Sequence, residues 1–357
     1  MMLGKQTLRQ LVAMIVLALF VTQARATDEP AGIGVRHITL TDESRAIKAS
    51  MGFAGSTVRR IDVTLWYPAE TRPGDSAENA APAKGPPAPL IIYSHGTYGR
   101  ADNAMHLVNH LVRAGYIVAA PDYPLSSRAA YTKISGADPT DVVNQVKDLH
   151  FIIDKLLADG TVSPLFDHDR IATMGHSLGA VTSYFASFAG GVRDPRIKAT
   201  VLLGAGDPVQ AALSANMGLT YTWNAAASVP VLFMSAEHDV FARITGRPYA
   251  AYMRLEKPKY EVMVAGGVHG WFREGTPLPA DGSNPDCLFF KTGAASAFKP
   301  AGCDKRGGFI AQARQMEITR IAVREFLDGY LKGDAAQLKR LRKLHSALPE
   351  TEIRFEE

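Results

Sequence analysis

The most specific chemical signal in the chain is Gly175-His176-Ser177-Leu178-Gly179. It directly follows the apolar run RIATM and leads into LGAVTSYFASFAG, a stretch of small and apolar residues that reads as a helix. A G-x-S-x-G segment between a strand and a helix imposes a tight turn. Only glycine fits two residues before and two residues after the serine, whose hydroxyl stands exposed at the carboxyl edge of a sheet. The helix starting there aims its first amides at any anion that develops beside the serine. This is a nucleophile for acyl chemistry. A glycine-rich turn without chemistry would carry the same five residues, so the groups around it must decide.

A serine nucleophile needs a base, and in this arrangement the chain order is serine, acid, histidine. Three of the ten histidines follow Ser177, namely His238, His269 and His345. His238 abuts the candidate acid and His345 lies in a charged tail. His269 sits in Gly266-Gly267-Val268-His269-Gly270, after the strand-like run YEVMVAGGV, where a loop can carry it to the serine. The acid should follow the preceding strand, VPVLFMSAEHD, which makes Asp239 the choice and leaves Glu237 as a loop residue. Asp207 after the earlier strand is a rival, although Asp207-Pro208 reads more naturally as a turn or helix start. A carboxylate at this position holds the imidazole tautomer and stabilises the imidazolium. Two backbone amides should form the oxyanion hole. One is that of Leu178. The other is assigned to Thr97 in the loop Ser94-His95-Gly96-Thr97-Tyr98-Gly99, where His95 reads as a prop. Tyr98, Trp223, Trp271 and Phe272 are candidates to line an apolar acyl pocket, with core packing as the competing reading. No metal or cofactor is implied.

The elements that must position these groups alternate strictly. Residues 58–68, PLIIYSHG, YIVAAPDY, RIATMGHS, IKATVLLGAG, VPVLFMSAEHD and YEVMVAGGVHG read as strands, mostly apolar throughout. AMHLVNHLVRAGY, residues 138–159, LGAVTSYFASFAG and residues 315–333 read as helices. Strand and helix in alternation predict an α/β fold, a mostly parallel doubly wound sheet with helices on both faces. No repeat and no domain boundary interrupts it.

Residues 1–26 are an address. Lys5 and Arg9 form a positive start, Leu11 to Val21 an apolar run, and Ala24-Arg25-Ala26 a small-x-small cleavage site. That is the layout of a secretory signal peptide, and the run is short for a membrane span. An uncleaved N-terminal anchor is the alternative. Cleavage removes Lys5, Arg9 and Arg25 and takes the net charge from +4 to +1, which gives no argument for a nucleic-acid partner. The exported chain, residues 27–357, is expected to be a single domain, periplasmic or extracellular, with no stable membrane insertion. In an oxidising compartment the two cysteines, Cys287 and Cys303, should pair and pin a polar surface stretch. Closing a loop of that size is worth about 3 kcal/mol in chain entropy. The basic stretch Lys339, Arg340, Arg342 and Lys343 reads as a solvated helix face.

Taken in order, IDVTLWYP, PLIIYSHGTYG, GYIVAAPDYP, MGHSLGA, the acid turn and GVHGWF resemble the α/β-hydrolase superfamily over roughly residues 58–330. The resemblance is to dienelactone-hydrolase-like proteins and platelet-activating-factor acetylhydrolases, and more loosely to bacterial cutinases and polyester hydrolases. It implies a serine hydrolase acting on a small-molecule, lipid or polymer ester through an acyl-enzyme. Dienelactone hydrolase itself has cysteine at the nucleophile, so lactone chemistry does not carry over to Ser177. The surface insertion at 273–308 also departs from the pattern. An acyltransferase would use the same residues, and a non-catalytic hydrolase-fold binding protein would not need all three of them. The short segment at 204–229 leaves no room for a large apolar lid, which predicts a preference for short-to-medium acyl groups.

Overall fold

The computed structural model describes residues 32–131, 138–219, 228–291 and 300–357. The segment 1–26, expected from its sequence to be a signal peptide, lies outside the described residues. Ten strands form one mixed sheet: β1 (Gly32–Asp42), β2 (Arg59–Ala69), β3 (Ser76–Glu78), β4 (Ala88–Ser94), β5 (Ile117–Asp122), β6 (Phe166–His176), β7 (Ile197–Leu203), β8 (Val231–Ala236), β9 (Lys259–Val264) and β10 (Thr351–Glu356). Their order across the sheet is β10-β9-β8-β7-β6-β4-β5-β2-β1-β3. From β5 through β4 to β9 all neighbours are parallel, whereas β2 joins β5, β1 joins β2 and β10 joins β9 antiparallel.

The central strands are apolar on both faces because both faces are covered. Four helices do most of this: α1 (Met105–Arg113), α2 (Val142–Ala158), α3 (Leu178–Phe188) and α4 (Gln312–Leu331). Alternate residues divide between two cores. Leu90, Ile92, Val231 and Phe233 pack with Val146, Leu149 and Phe185 of α2 and α3. Ile91, Tyr93, Leu232 and Met234 pack with Leu107 and Leu111 of α1 and with Ile318 and Phe326 of α4. Each such large apolar side chain taken from water contributes about 1.5–3 kcal/mol.

All eleven residues of α3 are buried, so it is the helix most deeply embedded in the sheet. Its small residues permit that approach, and its hydroxyls are paired with those of the strands beneath it: Thr173 Oγ1 of β6 donates to Ser183 Oγ (2.9 Å) and Thr200 Oγ1 of β7 to Ser187 Oγ (2.7 Å). A buried ion cluster ties β2 to α2. Arg59, fully buried, donates Nε and Nη2 to Asp148 (2.7 Å each) and Nη2 to Asp141 (2.7 Å). At the far edge, β10 covers β9, and Lys259 Nζ lies 3.4 Å from Glu356.

Candidate active site

The chain runs from β4 to β5 on one side and returns to β6 on the other, so the direction of winding reverses at β4 and β6. Ligand sites in open α/β sheets form at the carboxyl ends of strands flanking such a reversal. Ser177 lies there, between the end of β6 and the start of α3. Its backbone is left-handed, with φ 55° and ψ −119°. That conformation costs a residue with a Cβ about 1–3 kcal/mol and persists only where the surroundings impose it. They do so through the flanking glycines. A Cβ on Gly175 would lie 2.1 Å from the Gly179 carbonyl oxygen, and one on Gly179 would lie 2.0 Å from the Ser94 carbonyl oxygen. The Ser177 amide donates to the Leu203 carbonyl (3.0 Å), anchoring the turn to β7.

His269 opens the 3-10 turn His269–Phe272 beyond β9, and Asp239 caps the short helix Val240–Thr245 beyond β8. Both are buried. His269 Nδ1–H donates to Asp239 Oδ2 at 2.9 Å, and the other carboxylate oxygen accepts from the Ala242 amide (2.9 Å). Burial disfavours the imidazolium. The Asp239 carboxylate outweighs this by charge and by hydrogen bond, Asp286 adds to it, and His269 is held above the ordinary histidine value. Asp207 has other partners. It caps the helix Pro208–Ser214 through Val209 N (3.0 Å) and pairs with Arg254. Glu237 accepts from the Gly266 amide (2.8 Å) at the surface.

Ser177 and His269 line one cleft of about 250 Å³ together with Thr97, Phe241, Arg273 and Phe289. Among the described residues, neither the Thr97 amide nor that of Leu178 has a hydrogen-bond acceptor. His95 is buried and serves as a strut, with Nδ1 2.8 Å from the Gly96 carbonyl and Nε2 accepting from the Tyr123 amide (3.2 Å). His176 Nε2–H donates to the His269 carbonyl (3.1 Å). Burial first, and then the neighbouring His269 charge, depress its pKa well below the ordinary value, so it is a neutral support.

The aromatic assignments need correction. Trp271 and Phe272 are buried in the protein and line no part of the cleft; the Trp271 indole donates to the Thr276 carbonyl (3.0 Å), and Phe272 packs in the core over α1 and α4. Tyr98 stands at the rim, 36% exposed, with its ring centroid 6.0 Å from that of Phe289. Trp223 lies outside the described residues. The rings that face the cleft are Phe241, whose centroid is 4.4 Å from the His269 ring, and Phe289. Phe241 sits two residues after Asp239, a position that could have drawn attention. Phe289 lies in the 273–308 insertion, where Cys287 and Cys303 are bonded. Half-buried Arg273 was also missed; its Nη1 donates to the Glu274 carbonyl (2.9 Å). Among the described residues no group of His, Cys, Asp and Glu is arranged to hold a metal ion, and no helix is long and apolar enough to cross a membrane.

Comparison with known proteins adds the following. A solved structure, a ferulic acid esterase from Streptomyces cinnamoneus, superposes with a TM-score of 0.64 at 24% identity, covering 94% of this chain and 98% of the esterase. The fold is that of the α/β-hydrolase superfamily. A family model described as chlorophyllase matches residues 53–224, which hold the Ser177 turn and the Thr97 loop. No curated protein matches the chain.

Proposed function

We propose that the protein is a serine hydrolase of carboxylic esters. Ser177 Oγ attacks the ester carbonyl carbon while its proton passes to His269 Nε2. The Leu178 and Thr97 amides hold the oxyanion, and Asp239 steadies the imidazolium. Collapse of the intermediate expels the alcohol, which leaves with the proton from His269. Water then repeats the sequence on the acyl-enzyme and frees the acid. The observation that carries this reading is one cleft that contains a strained serine at a strand–helix turn and a histidine bonded to a buried carboxylate. The ferulic acid esterase neighbour, named for ester chemistry, and the chlorophyllase family match support it.

The cleft, at about 250 Å³, is below the roughly 300–1,000 Å³ usual for drug-sized ligands. Its apolar wall of Phe241, Leu288 and Phe289 suits a short-to-medium acyl group. The protein is exported after removal of residues 1–26, and residues 27–357 act as one domain in an oxidising compartment, in keeping with the Cys287–Cys303 bond.

The test combines fluorophosphonate labelling and peptide mapping with rates on p-nitrophenyl esters of graded acyl length. The label should fall on Ser177, and Ser177→Ala should lose turnover by several orders of magnitude while melting as the wild type does. Wild-type turnover in Ser177→Ala refutes the mechanism. Faster cleavage of emulsified long-chain triglyceride than of butyrate esters refutes the acyl preference.

A further inference from the structure

Asp286 is buried in the insertion, and its carboxylate accepts three backbone hydrogen bonds, none from its own segment. The His269 amide donates to Oδ2 (3.0 Å), the Gly270 amide to Oδ1 (2.8 Å), and the Val240 amide to Oδ2 (3.2 Å). Val240 directly follows Asp239. One carboxylate therefore joins the two turns that present the imidazole and its partner acid. Its own position is fixed. Asn284 Oδ1 accepts from the Asp286 amide (2.9 Å), and Asn284 Nδ2 donates to the carbonyl of His238, the residue before Asp239 (2.9 Å). The next residue, Cys287, is bonded to Cys303. The segment Asn284–Cys287 is thus latched to both neighbours of Asp239 and to His269 itself.

The chemistry of these contacts excludes a plain filler role. Backbone N–H groups of irregular turns would otherwise be buried without acceptors, and charge-assisted bonds to them are the stronger kind. Asp286 does not compete for the imidazole ring, whose Nδ1 belongs to Asp239. It faces that ring as a second buried anion. The charged and titratable groups around His269 are Asp239 from the turn after β8, Asp286 from the insertion, Arg273 four residues onward, and His176 from the serine turn, its ring centroid 4.7 Å away. Burial pushes the Asp286 carboxyl up to about 6, with His269 opposing and Asp239 adding to the rise.

We propose that Asp286 is a positioning residue of the ester-cleaving site, which holds the His269 and Asp239 turns in register and stabilises the imidazolium by its charge. This rests on the serine-hydrolase reading. The insertion becomes, on this view, a clamp on the catalytic pair rather than a decoration at the cleft mouth.

The experiment compares wild type, Asp286→Asn and Ser177→Ala on a soluble butyrate ester, reading kcat, KM, the pH profile of kcat/KM, and the melting temperature. Asparagine keeps one oxygen acceptor but removes the charge and places an NH2 against an amide N–H. Misplacement of a catalytic group by a fraction of an ångström to 1 Å should lower kcat by about 10–100-fold, with KM changed less than about threefold. Loss of the anion should move the acid limb of the profile to lower pH by about half a unit or more. A purely structural residue would not move that limb. A drop in kcat with the limb unmoved, or wild-type kcat, overturns the proposal. If Asp286→Asn does not fold, Asn284→Ser carries the same test, because it loosens the latch and leaves the carboxylate. Its kcat should fall several-fold, and an unchanged kcat overturns the proposal. Turnover surviving in Ser177→Ala overturns both the serine mechanism and this inference. Turnover lost there but unchanged in Asp286→Asn overturns this inference alone.

Discussion

Replacing Asp239 by asparagine separates the chemistry of the site from its architecture. Asp239 makes two side-chain bonds, Oδ1 from the Ala242 amide and Oδ2 from His269 Nδ1–H, both 2.9 Å. Asparagine is as good a helix cap as aspartate, so the bond to Ala242 survives and the stability loss should stay near 1 kcal/mol or below. The second position is then an NH2 donor. It satisfies itself only against an unprotonated Nδ1, which puts the imidazole proton on Nε2 and blocks uptake of the Ser177 proton. Loss of the correct tautomer in such a constellation costs about 10⁴-fold in kcat, or about 5.5 kcal/mol. Asp207→Asn supplies the control. There too the amide oxygen keeps the cap and still accepts from Arg254, so what is lost is the charge of the pair with that partly exposed guanidinium. Such a pair is worth about 1 kcal/mol or less and bears on no reacting atom. Initial rates on p-nitrophenyl butyrate with parallel thermal melts decide the matter. Asp239→Asn retaining more than a tenth of wild-type kcat, or Asp207→Asn losing as much, would refute the assignment of Asp239 to the imidazole.

Gly179→Ala drives a Cβ to 2.0 Å from the Ser94 carbonyl oxygen, a backbone atom that cannot swing aside. The variant should lose more than about 3 kcal/mol, the usual limit for overpacking, or fail to fold; a wild-type melt would contradict the packing of α3 against β4. Arg59→Ala leaves the buried Asp141 carboxylate without its cation and Asp148 with Arg45 alone (2.8 Å). It should cost about 3–5 kcal/mol and lower Tm by on the order of 10 °C, and calorimetry showing a drop of only a degree or two would refute it. The raised pKa of His269 means that its inactive, protonated form persists above the ordinary histidine value of 6.5. As pH falls, kcat/KM should therefore decline with a midpoint above 6.5, and a midpoint below it would show that Asp239 and Asp286 do not outweigh burial.

The central sheet was readable because β4, β6, β7 and β8 are short apolar runs, each followed by a polar or glycine turn, and both their faces are covered. The edges were not. β1 alternates only weakly, and β10, TEIRFE, exposes most of its charged side chains, so nothing in its pattern distinguishes it from a tail. Ser177, Asp239 and His269 could be chosen from their order because each follows a strand at its carboxyl end, where the fold gathers them. The cleft wall could not. Whether Trp271 faces the cleft depends on how the 3-10 turn at His269 rotates, and whether Phe241 does depends on the short helix after Asp239; no periodicity encodes either. Asp286 was invisible for a related reason. Its partners are backbone amides of two distant turns, which leave no trace in side-chain spacing.

The strand that leads into His269 is an interior strand only because residues 351–356 lie along it. Those residues leave the ribosome, and any export channel, after all that precede them. Until they dock, β9 presents an open row of N–H and C=O groups on an almost wholly buried strand, a template for pairing with another chain. The histidine turn gains its outer neighbour only when residues 351–356 dock. Completion of the candidate site is thereby tied to the arrival of residues 351–356, and chains lacking them would be prone to aggregate.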